Sequence, residues 1–308
     1  CPLDEQLEKT MKLQPGGVLL FGRDFDGKTA QEVIDKNAQL QAMSEYPLLI
    51  GVDEEGGVVN RVSWNPQLVP SPFPSPQALY QEGGLAEVIQ DAKIKSQYLL
   101  DYGIHVNLAP VSDVAEQDAY IYPRTVGLDP QGTAAYVAAV VDAMNEMKIG
   151  SCLKHFPGYG NNIDTHEEIA VDYREASAFF DHDFIPFRWG IEHQVPSILV
   201  AHTIVPCFDD VPASLSAKVH QILREDLKFQ GVIISDDLSM QAIRQFTQQQ
   251  DPSVQAFLAG NDLLITSDMS EGFIAIQEAV KKGIISEARL DESVERILNW
   301  KLALNLIE

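Results

Sequence analysis

Val232-Ile233-Ile234-Ser235-Asp236-Asp237 is the stretch whose reading decides the fold. Three apolar residues follow one another, so neither face of the segment suits water, and the run is too short for a buried helix. It fits a strand buried on both faces, as in a parallel sheet. Two carboxylates follow at once, at the strand's C-terminal end. The same design recurs at 17–21, 47–53, 105–111, 152–156, 197–202 and 262–266, which makes seven runs in all. Several are introduced by Gly or Pro, the residues that punctuate a chain.

The segments between the runs carry helical spacing. Val137, Val140, Val141 and Met144 follow the i, i+3, i+4, i+7 pattern, and Leu290, Val294, Ile297 and Leu298 do nearly the same. Ser216 precedes a segment with Val219, Ile222, Leu223 and Leu227 and suits an N-cap. Strands alternating with helices imply right-handed βαβ units, and over this length a TIM-type (β/α)8 α/β barrel. A closed barrel needs eight strands. The helical stretch 3–13 has no strand before it, so either strand one lies upstream of Cys1 or the barrel is incomplete. The 308 residues would also allow two domains. No linker or low-complexity segment divides them, and one domain over 1–308 is expected.

The formal charge of −23 is spread along the chain. A surface this negative repels phosphate backbones and anionic lipid, which argues against nucleic acid as a partner. No apolar run is long enough to span a bilayer. Cys1, Cys152 and Cys207 are too few for a disulfide framework and fit a reducing compartment. A cytoplasmic monomer is expected, with an exported lipoprotein anchored through Cys1 as the alternative.

Barrel chemistry sits at the C-terminal ends of strands, and the unusual polar residues fall there. The run 47–53 ends in Asp53-Glu54-Glu55-Gly56-Gly57. The run 152–156 carries Lys154 and His155, and His202 and Asp236 end two others. Charged groups directly after apolar strands are unfavourable unless paired or used. After Phe156 comes a Gly- and Asn-rich loop, Pro157 to His166, in which Asp164 and His166 are two apart. In an extended segment that puts both side chains on one side. A carboxylate beside an imidazole fixes its tautomer and favours its protonated form, as a general acid/base requires.

Together these stretches resemble glycoside hydrolase family 3. Asp53-Glu54-Glu55-Gly56-Gly57 with Arg61 resembles that family's Asp-x-Glu-Gly-Gly-x-Val-x-Arg segment. Lys154-His155-Phe156-Pro157-Gly158-Tyr159-Gly160, with Asp164 and His166, is similar to its Lys-His-Phe-Pro-Gly-x-Gly and Asp-Ser-His motif. Ser235-Asp236-Asp237-Leu238-Ser239-Met240 resembles its nucleophile segment. Stretches at 103–111 and 212–216 also match, in order, over nearly the whole chain.

The resemblance is nearest to the family's single-domain β-N-acetylglucosaminidases and implies a retaining exo-enzyme acting by double displacement. By that resemblance Asp236 is the nucleophile, and His166, supported by Asp164, is the acid/base. Lys154, His155, Asp53 and Arg124 bind the sugar in the innermost subsite, Arg61 is retained, and Met240 walls the acetamido pocket. A small carbohydrate, terminal N-acetylglucosamine on peptidoglycan-derived or related oligosaccharides, is the implied substrate. No cofactor or metal is implied.

Departures at Val58, Tyr159 and Asn161 bear on the outer subsite and the aglycone. The alternatives are a β-N-acetylglucosaminide phosphorylase, a β-glucosidase, a non-catalytic sugar-binding lipoprotein, and a metal-dependent hydrolase using His155, His166 and His202.

Overall fold

A computed structural model describes residues 5–160, 170–248, 250–267 and 269–308. Six strands form a parallel sheet in the order β1 (Gly17–Leu20), β2 (Leu49–Val52), β3 (Val106–Asn107), β4 (Gly150–Phe156), β5 (Ser197–Val200) and β8 (Val232–Ser235). Two further strands, β6 (Ile204–Val205) and β7 (Asp209–Pro212), pair antiparallel in a small separate ribbon. That ribbon was not expected from the sequence. It is short, and its alternation is cut by Pro206 and Pro212.

Helix α1 (Glu5–Lys12) precedes β1, and the main strands are joined by α2 (Ala30–Ala42), α3 (Pro76–Asp101), α4 (Pro130–Met147), α5 (Ala176–Ala178) and α6 (Phe184–Glu192). After β5 come α7 (Ala217–Gln221), α8 (Gln241–Phe246), α9 (Ser253–Ala259), α10 (Met269–Lys281) and α11 (Glu287–Ala303). Ser216 caps α7 as expected, its hydroxyl accepting from the Val219 N–H. The expected helix runs on through a wider turn over 222–226.

Alternation along the strands sorts their side chains into two apolar layers. Ile50, Val52, Leu153, Ile198, Val200 and Ile233 cluster with helix residues such as Val137, Val141, Phe184, Phe187 and Leu223, and so form the outer layer. Leu49, Val106, Cys152, Leu199, Val232 and Ile234 cluster with one another and fill the interior of the curled sheet. Trp300 of α11 joins this inner cluster and lies against Gly150 at the start of β4.

One expectation is corrected. The run 262–266 makes only one isolated parallel bridge, Ile234 to Leu263. It lies beside β8, but the Ile265 N–H donates to the Ser235 hydroxyl at 3.2 Å instead of to a carbonyl, which interrupts the ladder. No strand precedes α1 among the described residues. On α11, Val294 and Leu298 are exposed, while Ser293, Trp300 and Lys301 are buried and Ile297 packs inward. The buried stripe is therefore 293, 297, 300, 301 and 304. It is rotated from the aliphatic pattern because the large Trp300 ring, not Leu298, faces the barrel interior.

Candidate active site

The inner-layer parity carries into the chemistry. Asp53 is in step with Leu49, Lys154 with Cys152, and Asp236 with Val232 and Ile234. Period two therefore sends all three toward the interior at the strands' C-terminal ends. The Lys154 ammonium is 2.6 Å from Asp53 Oδ1 and 2.6 Å from Glu55 Oε1. Glu55 also takes two bonds from Arg124, 3.0 Å from Nε and 2.7 Å from Nη2, a bidentate fork. Glu55 and Lys154 are almost wholly buried, and Asp53 keeps some exposure.

Burial alone would raise the Glu55 carboxyl, but Lys154 and Arg124 outweigh it and hold Glu55 well below the usual carboxylate range. Burial would likewise lower Lys154, and Asp53 and Glu55 outweigh it, so its ammonium is held above its ordinary value. Two cations and two carboxylates cancel, which is what allows four charges to sit in a closed space.

His155 should face away from Lys154, since neighbours on a strand point to opposite faces. The pairing of β4 with β5 instead shifts register between Leu153 and Phe156, and the Lys154–His155 peptide is cis. A bulge of this kind re-aims a side chain. His155 Nδ1 lies 2.7 Å from Asp113 Oδ2 and Nε2 lies 3.1 Å from Arg124 Nη2. An acceptor on one side and a donor on the other assign the proton to Nδ1 and leave Nε2 as acceptor. Asp113 also accepts from the backbone N–H groups of His155, at 3.2 Å, and Tyr159, at 2.7 Å.

Asp236 follows β8, half-buried, its N–H on the Val200 carbonyl at 3.0 Å and its Oδ1 accepting from the Asp237 N–H at 2.8 Å. Met240 precedes α8, and its N–H donates to the Asp237 carbonyl. The same carbonyl lies 3.0 Å from His202 Nε2, and Ser214 Oγ lies 2.7 Å from His202 Nδ1. His202 thus holds the turn after the β8 carboxylate, with both ring nitrogens engaged. Arg61 Nη1 donates to the carbonyl of Asn60 at 3.1 Å, so its hydrogen bonding does not join the cluster. Asp164 and His166 lie outside the described residues.

Of the sequence candidates, the structure thus unites Asp53, Lys154, Arg124 and His155 around a centre the sequence reading did not single out, Glu55. Asp113 was missed as well. It stands two residues past the run 105–111, where the strand-end rule would have found it. Glu54 is structural: it is fully buried and accepts from the N–H groups of Arg61, Val62 and Ser63.

A curled parallel α/β sheet with charged donors and acceptors crowded at its strands' C-terminal ends defines the TIM-barrel class. Within that class the chain belongs to glycosyl hydrolase family 3: residues 2–300 match the model of the family's N terminal domain. A beta-hexosaminidase of Xanthomonas campestris pv. campestris (strain B100) is 36% identical over 231 residues, 73% of this chain and 69% of that relative.

Among solved structures, a glycoside hydrolase family 3 β-N-acetylglucosaminidase from Paenibacillus sp. str. FPU-7 superposes with a TM-score of 0.91 at 29% identity. The match covers 98% of this chain and 59% of that one, so this chain spans about three-fifths of that protein's length. A glycosyl hydrolase of the GH3 family from Mycobacterium smegmatis str. MC2 155 superposes at 0.80 with 26% identity, covering 97% of each chain.

Proposed function

We propose that this chain is a retaining exo-β-N-acetylglucosaminidase that removes terminal N-acetylglucosamine from peptidoglycan-derived or related oligosaccharides. The observation that carries the reading is the Asp53–Lys154–Glu55–Arg124–His155 cluster, set at the same ends of the sheet as Asp236. The names of the Xanthomonas and Paenibacillus relatives support the sugar. The cluster offers donors and acceptors side by side, as sugar hydroxyls require. Its cations are fixed by Glu55 and need not reorganise when the sugar arrives.

Asp236 attacks the anomeric carbon while His166 gives its proton to the leaving oxygen, which forms the glycosyl ester and releases the aglycone. Water then attacks the same carbon, His166 takes the proton, and the Asp236 carboxylate is released. Asp164 holds the imidazole in orientation. A metal-dependent mechanism through His155 and His202 has no support in their bonding, since each has both nitrogens committed to protein partners.

The test is the initial rate on p-nitrophenyl β-N-acetylglucosaminide and the matching β-glucoside, each with and without phosphate. Fast, phosphate-indifferent release from the first substrate, abolished in a folded Asp236→Ala variant, is expected. A rate that rises with phosphate and yields the sugar 1-phosphate would replace hydrolysis by phosphorolysis. Full activity in Asp236→Ala would overturn the nucleophile.

A further inference from the structure

Lys95 lies inside α3 and is buried, as is Asp91 one turn before it. Its ammonium is 3.0 Å from Asp91 Oδ2 and donates to the main-chain carbonyl of Glu55, also at 3.0 Å. The same ammonium stands 5.1 Å from the centre of the Phe73 ring, within cation–π range. A buried lysine is unfavourable unless its charge is paired and its protons are used. Both conditions are met, and one of the partners is the residue at the centre of the site.

The backbone around Glu55 shows what this bond adds. The Glu55 and Gly56 N–H groups share the Val59 carbonyl, at 3.0 and 3.1 Å, and the Gly57 N–H donates to the Phe73 carbonyl at 2.9 Å. These bonds engage the donors of the turn, and Lys95 engages the Glu55 carbonyl. It reaches the turn closely: a Cβ on Gly56, at φ +103°, would lie 3.5 Å from Lys95 Nζ. Packed atoms do not fill the space behind the turn. A cavity of about 30 Å³ lies there, lined in part by Glu55, Asp91, Lys95, Ser96 and Tyr136. Close packing alone therefore does not fix Glu55 from behind, and a directed bond does.

We infer that Lys95 is a positioning residue for sugar binding, holding the Glu55 main chain so that its carboxylate meets Lys154 and Arg124 at once. The inference rests on the proposed binding of N-acetylglucosamine at the Glu55 cluster. Glu55 Oε1 faces both cations, at 2.6 Å and 2.7 Å. A bidentate fork tolerates little displacement. If the turn slides, Lys154 and Arg124 lose their shared anchor, and the donors presented to the sugar hydroxyls shift with them. An ångström of misplacement can cost about 10²-fold. Asp91 acts one step further back, by fixing where the Lys95 ammonium sits.

The experiment is calorimetric titration of N-acetylglucosamine into the wild type and its variants, with melting temperature measured alongside. Lys95→Met keeps the length of the side chain and removes its charge and donors. Asp91→Asn keeps the shape and removes the counter-charge, so it carries the test if Lys95→Met does not fold. Leu99→Ala, at a buried position one turn further along α3, is the control for lost stability alone. Glu55→Gln is the benchmark for damage to the cluster itself. The expected result is a Kd raised roughly tenfold to hundredfold in Lys95→Met, in the same direction but less in Asp91→Asn, and less than about twofold in Leu99→Ala.

Unchanged affinity in whichever of Lys95→Met and Asp91→Asn folds, or a loss no larger than that of Leu99→Ala, would overturn the inference while a loss in Glu55→Gln leaves the cluster's role standing. A wild type that binds no N-acetylglucosamine, or a Glu55→Gln that binds it equally well, would remove that reading and this inference with it.

Discussion

Replacing Glu55 by Gln tests the centre of the site most directly. The carboxylate receives one contact from Lys154 and two from Arg124. Gln keeps the volume, but it offers one acceptor oxygen and turns an amide N–H₂ toward the other cation. Removing one partner of a buried ion pair costs about 3–5 kcal/mol, because the remaining charges stay buried. With a urea slope of about 3 kcal/mol/M, the midpoint should fall by about 1 M or more at pH 7.

The pH dependence gives a second number. The folded carboxyl of Glu55 lies far below its ordinary value of 4.5. Its contribution is fully present above that value and is lost as pH falls toward the folded one, at about 1.36 kcal/mol per pH unit. At pH 3.5 the gap between wild type and Glu55→Gln should therefore be smaller by about 1 kcal/mol than at pH 7. Urea unfolding of both proteins at the two pH values is the assay. A gap under about 1 kcal/mol at pH 7, or one that does not narrow on acidification, would refute the reasoning that Glu55 is the ionised counter-charge of Lys154 and Arg124.

Asp113→Asn should raise KM for the N-acetylglucosaminide about tenfold, with a stability loss of about 2–3 kcal/mol, because an amide cannot accept from His155 Nδ1 and both backbone N–H groups. Steady-state kinetics check it, and an unchanged KM would mean that the His155 orientation does not depend on Asp113. Gly150→Ala places a methyl 2.7 Å from Trp300 Cζ2 and should destabilise by about 1–3 kcal/mol. Combined with Trp300→Leu, the added methyl should become nearly neutral in urea unfolding. Additive losses in the double variant would show that the two do not touch.

The strand positions were legible because burial on both faces leaves a short, uninterrupted apolar run, and parallel register then fixes which residues share the interior. Asp53, Lys154 and Arg124 were picked out by the strand-end rule or by family resemblance, and Glu55 links them into one cluster. Glu55 was passed over because a sequence shows adjacency and not contact. Its importance comes from Lys154, 99 positions away, and Arg124, 69 away. The spacing of Leu290, Val294, Ile297 and Leu298 marked α11 as a helix, but aliphatic spacing alone does not show that Trp300 supplies its inward face. The run 262–266 reads as a strand, yet a side-chain hydroxyl from Ser235 takes the place of a ladder carbonyl, and no periodicity reveals that.

The register shift in β4 has a consequence for how this site can change. Lys154 and His155 are consecutive, so the spacing between the group that meets Asp53 and the group that meets Arg124 is fixed by covalent bonds. It does not depend on how two elements pack. The remaining members, on loops after β2 and β3, can drift with insertions or repacking, but this pair moves as one. Laboratory evolution toward a different sugar should therefore find its freedom in the loops after β2 and β3, with β4 acting as the ruler against which every other contact is measured.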